Sequence, residues 1–227
     1  MMITGKKQSE AGMILYGYWR SAATFRVRIA LALKGLEAEL RPVDLSRNEQ
    51  HSPAYRAVNP QGIVPTLVDG AATICQSLAI IEYLEEVYPD PALLPEDAAA
   101  RARSRAVAVA VAAELQGRTG TSIRDHLLER FGADVMTEWY RHWALVGCAG
   151  LEGLLSREPL AGRFCFGDRP GLADCFLYPQ YRVFERRGVD LGGFPTLKRI
   201  ADACRSEPAF IHAAPENQPD RVVDPRF

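Results

Sequence analysis

The spacing of apolar residues predicts that strands and helices alternate over the first part of the chain. Residues 13–18 form an apolar run of strand length, and residues 19–34 contain a short polar turn followed by apolar side chains at helical spacing. Gly35 stands where a helix commonly ends in the left-handed conformation. Residues 38–45 then alternate in polarity, so the sequence predicts a β-α-β unit with two parallel strands.

A short helix, a hairpin and a longer helix are predicted to follow. Pro60 disfavours helical geometry at the residue before it and therefore ends the first of these elements. Asp69-Gly70 is a hairpin signal, and Ser77 is a candidate N-cap for the last helix. The predicted bounds are 53–58 for the short helix, 67–68 and 72–74 for the antiparallel strands, and 78–88 for the longer helix.

Beyond Tyr88 the pattern predicts helices only. Residues 117–121, which contain two glycines, are expected to interrupt the first of them. The predicted helices cover residues 99–113, 123–131, 135–155, 173–185 and 197–204. We therefore expect an α/β domain followed by an all-α domain. The expected parts are a disordered extension over 1–12, the α/β domain over 13–89, the all-helical domain over 96–220, and a tail over 221–227.

Composition and charge limit the kinds of function that the sequence supports. The 27 basic and 28 acidic residues nearly cancel, so charge gives no support for a nucleic-acid or membrane partner. No apolar stretch reaches the roughly 20 residues that span a bilayer, and residues 1–12 lack the apolar centre of a signal peptide. The five scattered cysteines include no C-x-x-C pair, which indicates reduced thiols and a cytoplasmic location. The four dispersed histidines predict no metal site.

Two helix starts are candidates for binding an anion. The N-terminus of a helix presents N–H groups and a partial positive charge, and Ser21 and Ser77 would each place a hydroxyl there. The alternative is that both serines only begin their helices. Similarly, Arg20, Arg26 and Arg28 are either site residues or solvated surface charges, and the residues alone leave these alternatives open.

The order of elements resembles the cytosolic glutathione transferases, and several motifs narrow the resemblance to the zeta class, the maleylacetoacetate and maleylpyruvate isomerases. It covers about residues 14–220. The motifs are Arg20-Ser21 followed by Arg26-Val27-Arg28-Ile29-Ala30-Leu31, then Asn59-Pro60, Val64-Pro65-Thr66-Leu67, Gln76-Ser77-Leu78-Ala79-Ile80-Ile81, Gly167-Asp168, Ala173-Asp174, Pro179-Gln180 and Glu185-Arg186. The resemblance implies an N-terminal thioredoxin-like domain that binds glutathione as cofactor, followed by an all-helical domain.

The resemblance also implies roles for individual residues. Ser21 would be the catalytic residue that donates a hydrogen bond to the glutathione sulfur. Arg20 and Arg186 would face the carboxylates of the substrate. The Val64–Pro65 bond would be cis, although only about 5–6% of X–Pro bonds in folded proteins are. The implied glutathione-binding set is Ser21, Ala22, Ala23, Thr24, Gln50, Val64, Pro65, Gln76, Ser77 and Gln116.

The leading hypothesis is a homodimeric, cytoplasmic glutathione transferase of zeta type. Its reaction would be the cis–trans isomerisation of maleylacetoacetate or maleylpyruvate-like dicarboxylic acids, in the catabolism of aromatic amino acids or other aromatic compounds. The helix over residues 99–113, with Tyr83 and Leu84, is the predicted dimer contact.

Two departures from the family pattern support a different enzyme. Ala22 and Ala23 replace a serine and a cysteine, and residues 117–122 replace a proline and asparagines. The alternative is therefore a general conjugating or peroxidase-type transferase that acts on small electrophiles. A second alternative is a non-catalytic glutathione-fold binding protein, which the retention of Ser21, Gln76 and Ser77 argues against.

Overall fold

The computed structural model describes residues 12–159 and 161–222. These residues form two compact units: one runs to Leu93 and resumes at Glu207, and the other runs from Leu94 to Ser206. The extension predicted over 1–12 lies outside the described residues except for Gly12, and so does the predicted tail except for residues 221–222. The domain bounds 13–89 and 96–220 stay a prediction, because contacts within one chain do not show which part folds alone.

The first unit is built on a mixed sheet with the order β2-β1-β3-β4. Strand β1 pairs in parallel with β2 and antiparallel with β3, which pairs antiparallel with β4. The β-α-β unit and the hairpin are therefore confirmed. The elements are β1 Met13–Gly17, α1 Ala22–Lys34, β2 Ala38–Pro42, α2 Pro53–Val58, β3 Thr66–Asp69, β4 Ala72–Cys75, α3 Ser77–Val87 and, from the end of the chain, α9 Pro208–Ala213.

Local signals explain how helices α1 and α2 begin and end. Ser21 and Ser52 are the N-caps of these helices, and each accepts a hydrogen bond from the backbone N–H three residues later at 3.2 Å. Helix α1 ends at Gly35, whose φ of 64° is the left-handed conformation that glycine tolerates. The apolar side of α1 then packs into the core, where Val27 and Ile29 are fully buried.

The second unit is helical, as predicted. Its helices are α4 Ala98–Val109, α5 Gln116–Thr119, α6 Thr121–Leu155, α7 Leu172–Arg186 and α8 Pro195–Arg205, with a π-helical segment Ala110–Leu115 between α4 and α5. Helix α6 is broken at Gly132, where φ is 85° and ψ is 176°, so the two helices predicted over 123–131 and 135–155 are confirmed. No helix among the described residues is both long and apolar enough to cross a membrane.

The interruption predicted at residues 117–121 is confirmed but is shorter than expected: the helix continues past Gly117 and ends at Gly120, whose backbone is extended. Its last turn is held because the Thr119 hydroxyl donates to the Leu115 carbonyl and the Trp139 indole donates to the Arg118 carbonyl. Helix α9 was not predicted from the sequence.

Candidate functional site

The sheet register brings three predicted site segments to one end of the sheet. Thr66, the first residue of β3, pairs with Tyr16 near the end of β1 and with Cys75 at the end of β4. The chain that leaves β1, the chain that enters β3 and the chain that leaves β4 therefore meet there, and we call this the site end. These segments carry Ser21, Val64-Pro65 and Gln76-Ser77.

Ser21 has a capping role that leaves its own proton available. Its backbone is extended, with φ −70° and ψ 121°, and its hydroxyl accepts from the N–H of Thr24. A serine hydroxyl has two acceptor lone pairs and one O–H donor, so this bond uses only one lone pair. The capping interpretation and the donor interpretation of Ser21 are therefore compatible. The side chain is partly exposed, as a donor to a ligand needs to be.

The side chain of Thr24 packs inside the turn between β1 and α1. This side chain is fully buried, and its hydroxyl accepts from the N–H of Tyr18 at 3.4 Å. A Cβ on Gly17 would collide with the methyl group of Thr24, so only glycine lets the strand end pass so close to the helix. We therefore assign the Thr24 side chain a structural role in the turn, and its role as a glutathione contact stays a prediction. Sequence reasoning missed Gly17, although a glycine at a strand end before a turn was a usable signal.

Helix α3 begins differently from the prediction. Ser77 was predicted as its N-cap, but Gln76 holds the cap position and Ser77 is already helical. Gln76 has φ 71° and ψ 123°, which is uncommon for a residue other than glycine and often marks a functional site. Its side-chain amide donates to Gln61 at 3.1 Å, and sequence reasoning had not singled out Gln61.

Buried arginines lie behind these helix starts. Arg26 is 1% exposed and its Nη1 donates to the hydroxyl of Ser77 at 3.4 Å. Arg28 is 8% exposed and donates to the carbonyls of Ala213 and Trp19, both at 3.0 Å. Burial lowers the pKa of Arg26 to about 9 and that of Arg28 to about 10, so both stay charged at neutral pH. The alternative that these two arginines are solvated surface charges was wrong.

The Val64–Pro65 bond is cis, as the resemblance implied, and Asp90–Pro91 is a second cis bond that was not predicted. The carbonyl before Val64 is fixed: Ile63 accepts from the Tyr55 hydroxyl at 2.7 Å and from the Asn59 amide at 2.8 Å. Within residues 12–159 and 161–222, no backbone group pairs with the N–H or C=O of Val64. These two groups are therefore available to an extended ligand.

Gln50 supplies an acceptor in the loop that follows β2. Its Oε1 is buried and accepts no hydrogen bond from the described residues, while its amide nitrogen makes a long 3.5 Å contact to Asn48. A buried acceptor without a donor is costly, so this oxygen suits a ligand N–H.

The other predicted residues are described within their own units. Arg20 is partly exposed, and its guanidinium carbon lies 6.0 Å from the centre of the Trp19 ring. In the second unit, Gln116 directly follows the π-helical segment, a feature often found at functional sites, and Arg186 is exposed at the end of α7. The part that these three residues play at the site stays a prediction.

The cysteines are free thiols, as predicted, and most are unsuited to nucleophilic chemistry. Cys148, Cys165, Cys175 and Cys204 are buried, while Cys75 is partly exposed. Burial raises the pKa of Cys148 to about 12 and that of Cys165 well above its usual range, so both remain protonated.

Comparisons with known proteins agree with this geometry. A family model for the glutathione S-transferase N-terminal domain matches residues 15–92. The maleylacetoacetate isomerase of Pseudomonas aeruginosa is 48% identical over 213 residues, which are 92% of this chain and 98% of that protein. Two solved structures are also similar.

The first structure is the holo form of a maleylpyruvate isomerase, a bacterial zeta-class glutathione S-transferase. It has a TM-score of 0.88 and 43% identity over 92% of this chain and 99% of that one. The second is a maleylacetoacetate isomerase from Methylobacterium extorquens AM1 with bound malonate and glutathione. It has a TM-score of 0.87 and 42% identity, again over 92% of this chain and 99% of that one.

Proposed function

Because this chain belongs to the zeta class of the glutathione S-transferases, we propose that it is a glutathione-dependent cis–trans isomerase of maleylacetoacetate or maleylpyruvate-like dicarboxylic acids. The observation that carries the proposal is the site end, which places Ser21 at the start of α1 beside cis Val64–Pro65 and Ser77. Aromatic compounds are the expected source of such substrates, so we place the reaction in their catabolism.

The residues at the site end fit glutathione. The first turns of the two described helices that start there, α1 and α3, contain no acidic residue, so each can stabilise an anionic group. The unpaired backbone of Val64 suits the extended cysteinyl part, and the buried Oε1 of Gln50 suits an N–H donor. Gln76 and Ser77, at the start of α3, would hold the γ-glutamyl carboxylate.

Ser21 and the first turn of α1 would stabilise a negative charge on sulfur. Glutathione supplies a thiol whose thiolate form is a nucleophile. Ser21 donates its hydroxyl proton toward the sulfur position while still accepting from Thr24. The N–H groups of Ala22 and Ala23 point the same way, since the first N–H groups of a helix lack an intrahelical acceptor. These donors lower the pKa of a thiol held there, and Ala22 and Ala23 contribute through their backbones only.

Two arginines are proposed to orient the substrate. A guanidinium holds a carboxylate with two parallel N–H bonds, a geometry that Lys does not reproduce. Arg20 adjoins Ser21 in the sequence, and Arg186 ends α7. The malonate and citrate in solved maleylacetoacetate isomerases support a preference for polycarboxylates.

A second candidate function is the conjugation of small electrophiles, or a peroxidase-type reaction. The observation that favours it is the small, partly exposed side chains of Ala22 and Ala23, where the family pattern has hydroxyl and thiol groups. Both reactions would use the same glutathione site. A non-catalytic role is disfavoured by the joint retention of Ser21, Gln76 and Ser77.

We also propose that the enzyme is cytoplasmic and works as a homodimer. Val109 on α4 is 44% exposed, which supports this helix as part of a contact. Leu84 is fully buried inside the first unit, so we keep only Tyr83 and α4 as contact candidates.

An ultraviolet assay of maleyl-acid isomerisation, with and without glutathione, tests the proposal directly. Activity that requires glutathione is expected.

Arg186→Lys tests the proposed role of this arginine. It should raise KM for the maleyl acid about tenfold or more, because the hydrogen bonds to a charged carboxylate are weakened. Conjugation of a neutral aryl halide should barely change. Equal loss on both substrates would assign Arg186 to glutathione or to the fold. Conjugation without any isomerase activity would leave the second candidate function.

A further inference from the structure

We infer that Arg26 is a positioning residue for the γ-glutamyl carboxylate of glutathione and that it acts through Ser77. The inference rests on the proposed function, since it concerns the same cofactor. Arg26 lies in the second turn of α1, whereas Ser77 is the first residue of α3, so this contact joins the two helices that begin at the site end.

The contact orients the hydroxyl of Ser77. The Nη1 of Arg26 donates to the Ser77 Oγ at 3.4 Å, and both residues are buried, at 1% and 5% exposure. With one lone pair engaged by Arg26, the Ser77 O–H is directed away from the guanidinium. A carboxylate that binds the free N–H groups of the first turn of α3 would be the acceptor for this O–H.

Arg26 also adds a fixed positive charge behind the α3 N-terminus. A charge in a poorly hydrated interior acts on its neighbours more strongly than a charge in water. Burial opposes this charge, as the lowered pKa of about 9 shows, but the guanidinium is still protonated at neutral pH. The positive potential of this charge favours a ligand that carries an anion at the α3 N-terminus.

Arg28 provides a matched comparison on the same helix. It lies two residues further on and is similarly buried, but its Nε and Nη2 donate to the carbonyls of Ala213 and Trp19. Those bonds tie the C-terminal segment to α1 and do not reach Ser77. Loss of Arg28 should therefore lower the stability of the fold without lowering the affinity for the γ-glutamyl carboxylate in particular.

The test compares glutathione with γ-aminobutyryl-cysteinylglycine, which lacks only the γ-glutamyl carboxylate. Calorimetric Kd values are measured for the wild type, Arg26→Met, Arg26→Lys and Arg28→Met in the full chain. For Arg26→Met, Kd for glutathione should rise about tenfold while Kd for the analogue changes less than twofold. Arg26→Lys should restore part of the loss. Arg28→Met should leave the ratio of the two Kd values unchanged, even if the melting temperature falls.

A double-mutant cycle with Ser77→Ala separates action through Ser77 from direct action. The combined loss of Arg26→Met and Ser77→Ala should be smaller than the sum of the single losses, because both variants lose the same oriented hydrogen bond and only the charge of Arg26 acts independently of Ser77. If the ratio of the two Kd values is the same in Arg26→Met as in the wild type, Arg26 has only a structural role and the inference is overturned. If Arg26→Met does not fold, the same ratio is measured for Arg26→Gln, which lacks the charge, and a wild-type ratio in that variant would overturn the inference. Failure of the wild type to bind glutathione would instead overturn the proposed function.

Discussion

Helices α1 and α3 both begin at the site end with a serine, yet the two serines are held in different ways. Ser21 is the cap of its own helix and accepts from the N–H of Thr24. Ser77 is the first residue inside its helix and accepts from Arg26, a side chain of the other helix. The hydroxyl of Ser21 is therefore fixed by local structure, and that of Ser77 by a contact between distant parts of the chain.

The difference follows from the residue before each helix. At α1 the extended backbone of Ser21 puts its own side chain at the first turn. At α3 the cap position is Gln76, whose positive φ turns its side chain away toward Gln61 and leaves the hydroxyl to the next residue. The comparison predicts that the first serine contributes to the pKa of the nucleophile and the second to affinity.

The largest effect is expected from Ser21→Ala. Loss of the donor should lower kcat by between about tenfold and a hundredfold, less than the loss of an oxyanion donor because sulfur is a softer acceptor. The pKa of bound glutathione should rise, which the thiolate absorbance measures as pH is varied. An unchanged titration would transfer the role to the backbone N–H groups.

Ser52→Ala is the matched control for Ser21→Ala. Ser52 caps α2 with the same geometry and the same 3.2 Å bond. Both variants should lose about 1 kcal/mol of unfolding free energy through the lost cap, but only Ser21→Ala should change the thiolate titration. A similar activity loss in Ser52→Ala would trace the effect to helix stability.

Ser77→Ala should have an intermediate effect, on affinity alone. The KM for glutathione should rise about tenfold, since a hydrogen bond to a charged group is lost, and kcat at saturating glutathione should remain. Steady-state kinetics at varied glutathione separate the two constants. A fall in kcat with unchanged KM would reverse the roles given to the two serines.

The smallest effect is expected at Gln76, as a difference in unfolding free energy between the glycine and the alanine variant. Both remove the side chain, but only glycine accepts a φ of 71° without strain. Gln76→Gly should therefore be more stable than Gln76→Ala by about 1 kcal/mol. Urea unfolding of the two variants measures the difference. Greater stability of the alanine variant would mean that the backbone relaxes, and the contrast between the two helix starts would then be weaker.

Features with local causes were predictable from the sequence. Helix α2 has its serine cap, proline in its first turn and Asn59-Pro60 at its end, and the predicted bounds match the structure. The left-handed Gly35 and the break between the predicted helices of α6 also follow from signals within a few residues. The grouping of Ser21, Val64-Pro65 and Gln76-Ser77 came only from the family resemblance, because the strand order and register that bring these segments together were not predicted from the sequence.

Features that depend on distant contacts were not predictable. The sequence could not show that Arg26 points into the core toward Ser77. The helical pattern alone does not indicate whether an arginine is buried, because burial depends on a partner that is distant in the sequence. Nor could it place Ser77 inside the helix, which depends on the conformation of Gln76. Helix α9 is too short to be stable by itself, and it forms where Arg28 binds the Ala213 carbonyl.

The first unit is not continuous in the sequence, and this has a consequence for its synthesis on the ribosome. Its strands and α1–α3 emerge first, but α9 and the acceptor for Arg28 emerge only after the whole second unit. A nascent chain that ends at Leu93 therefore has the buried guanidinium of Arg28 without the Ala213 carbonyl, and without Phe210, which is fully buried in the finished fold. We expect the glutathione-binding unit to become fully protected from proteolysis only once residues 207–222 have been translated.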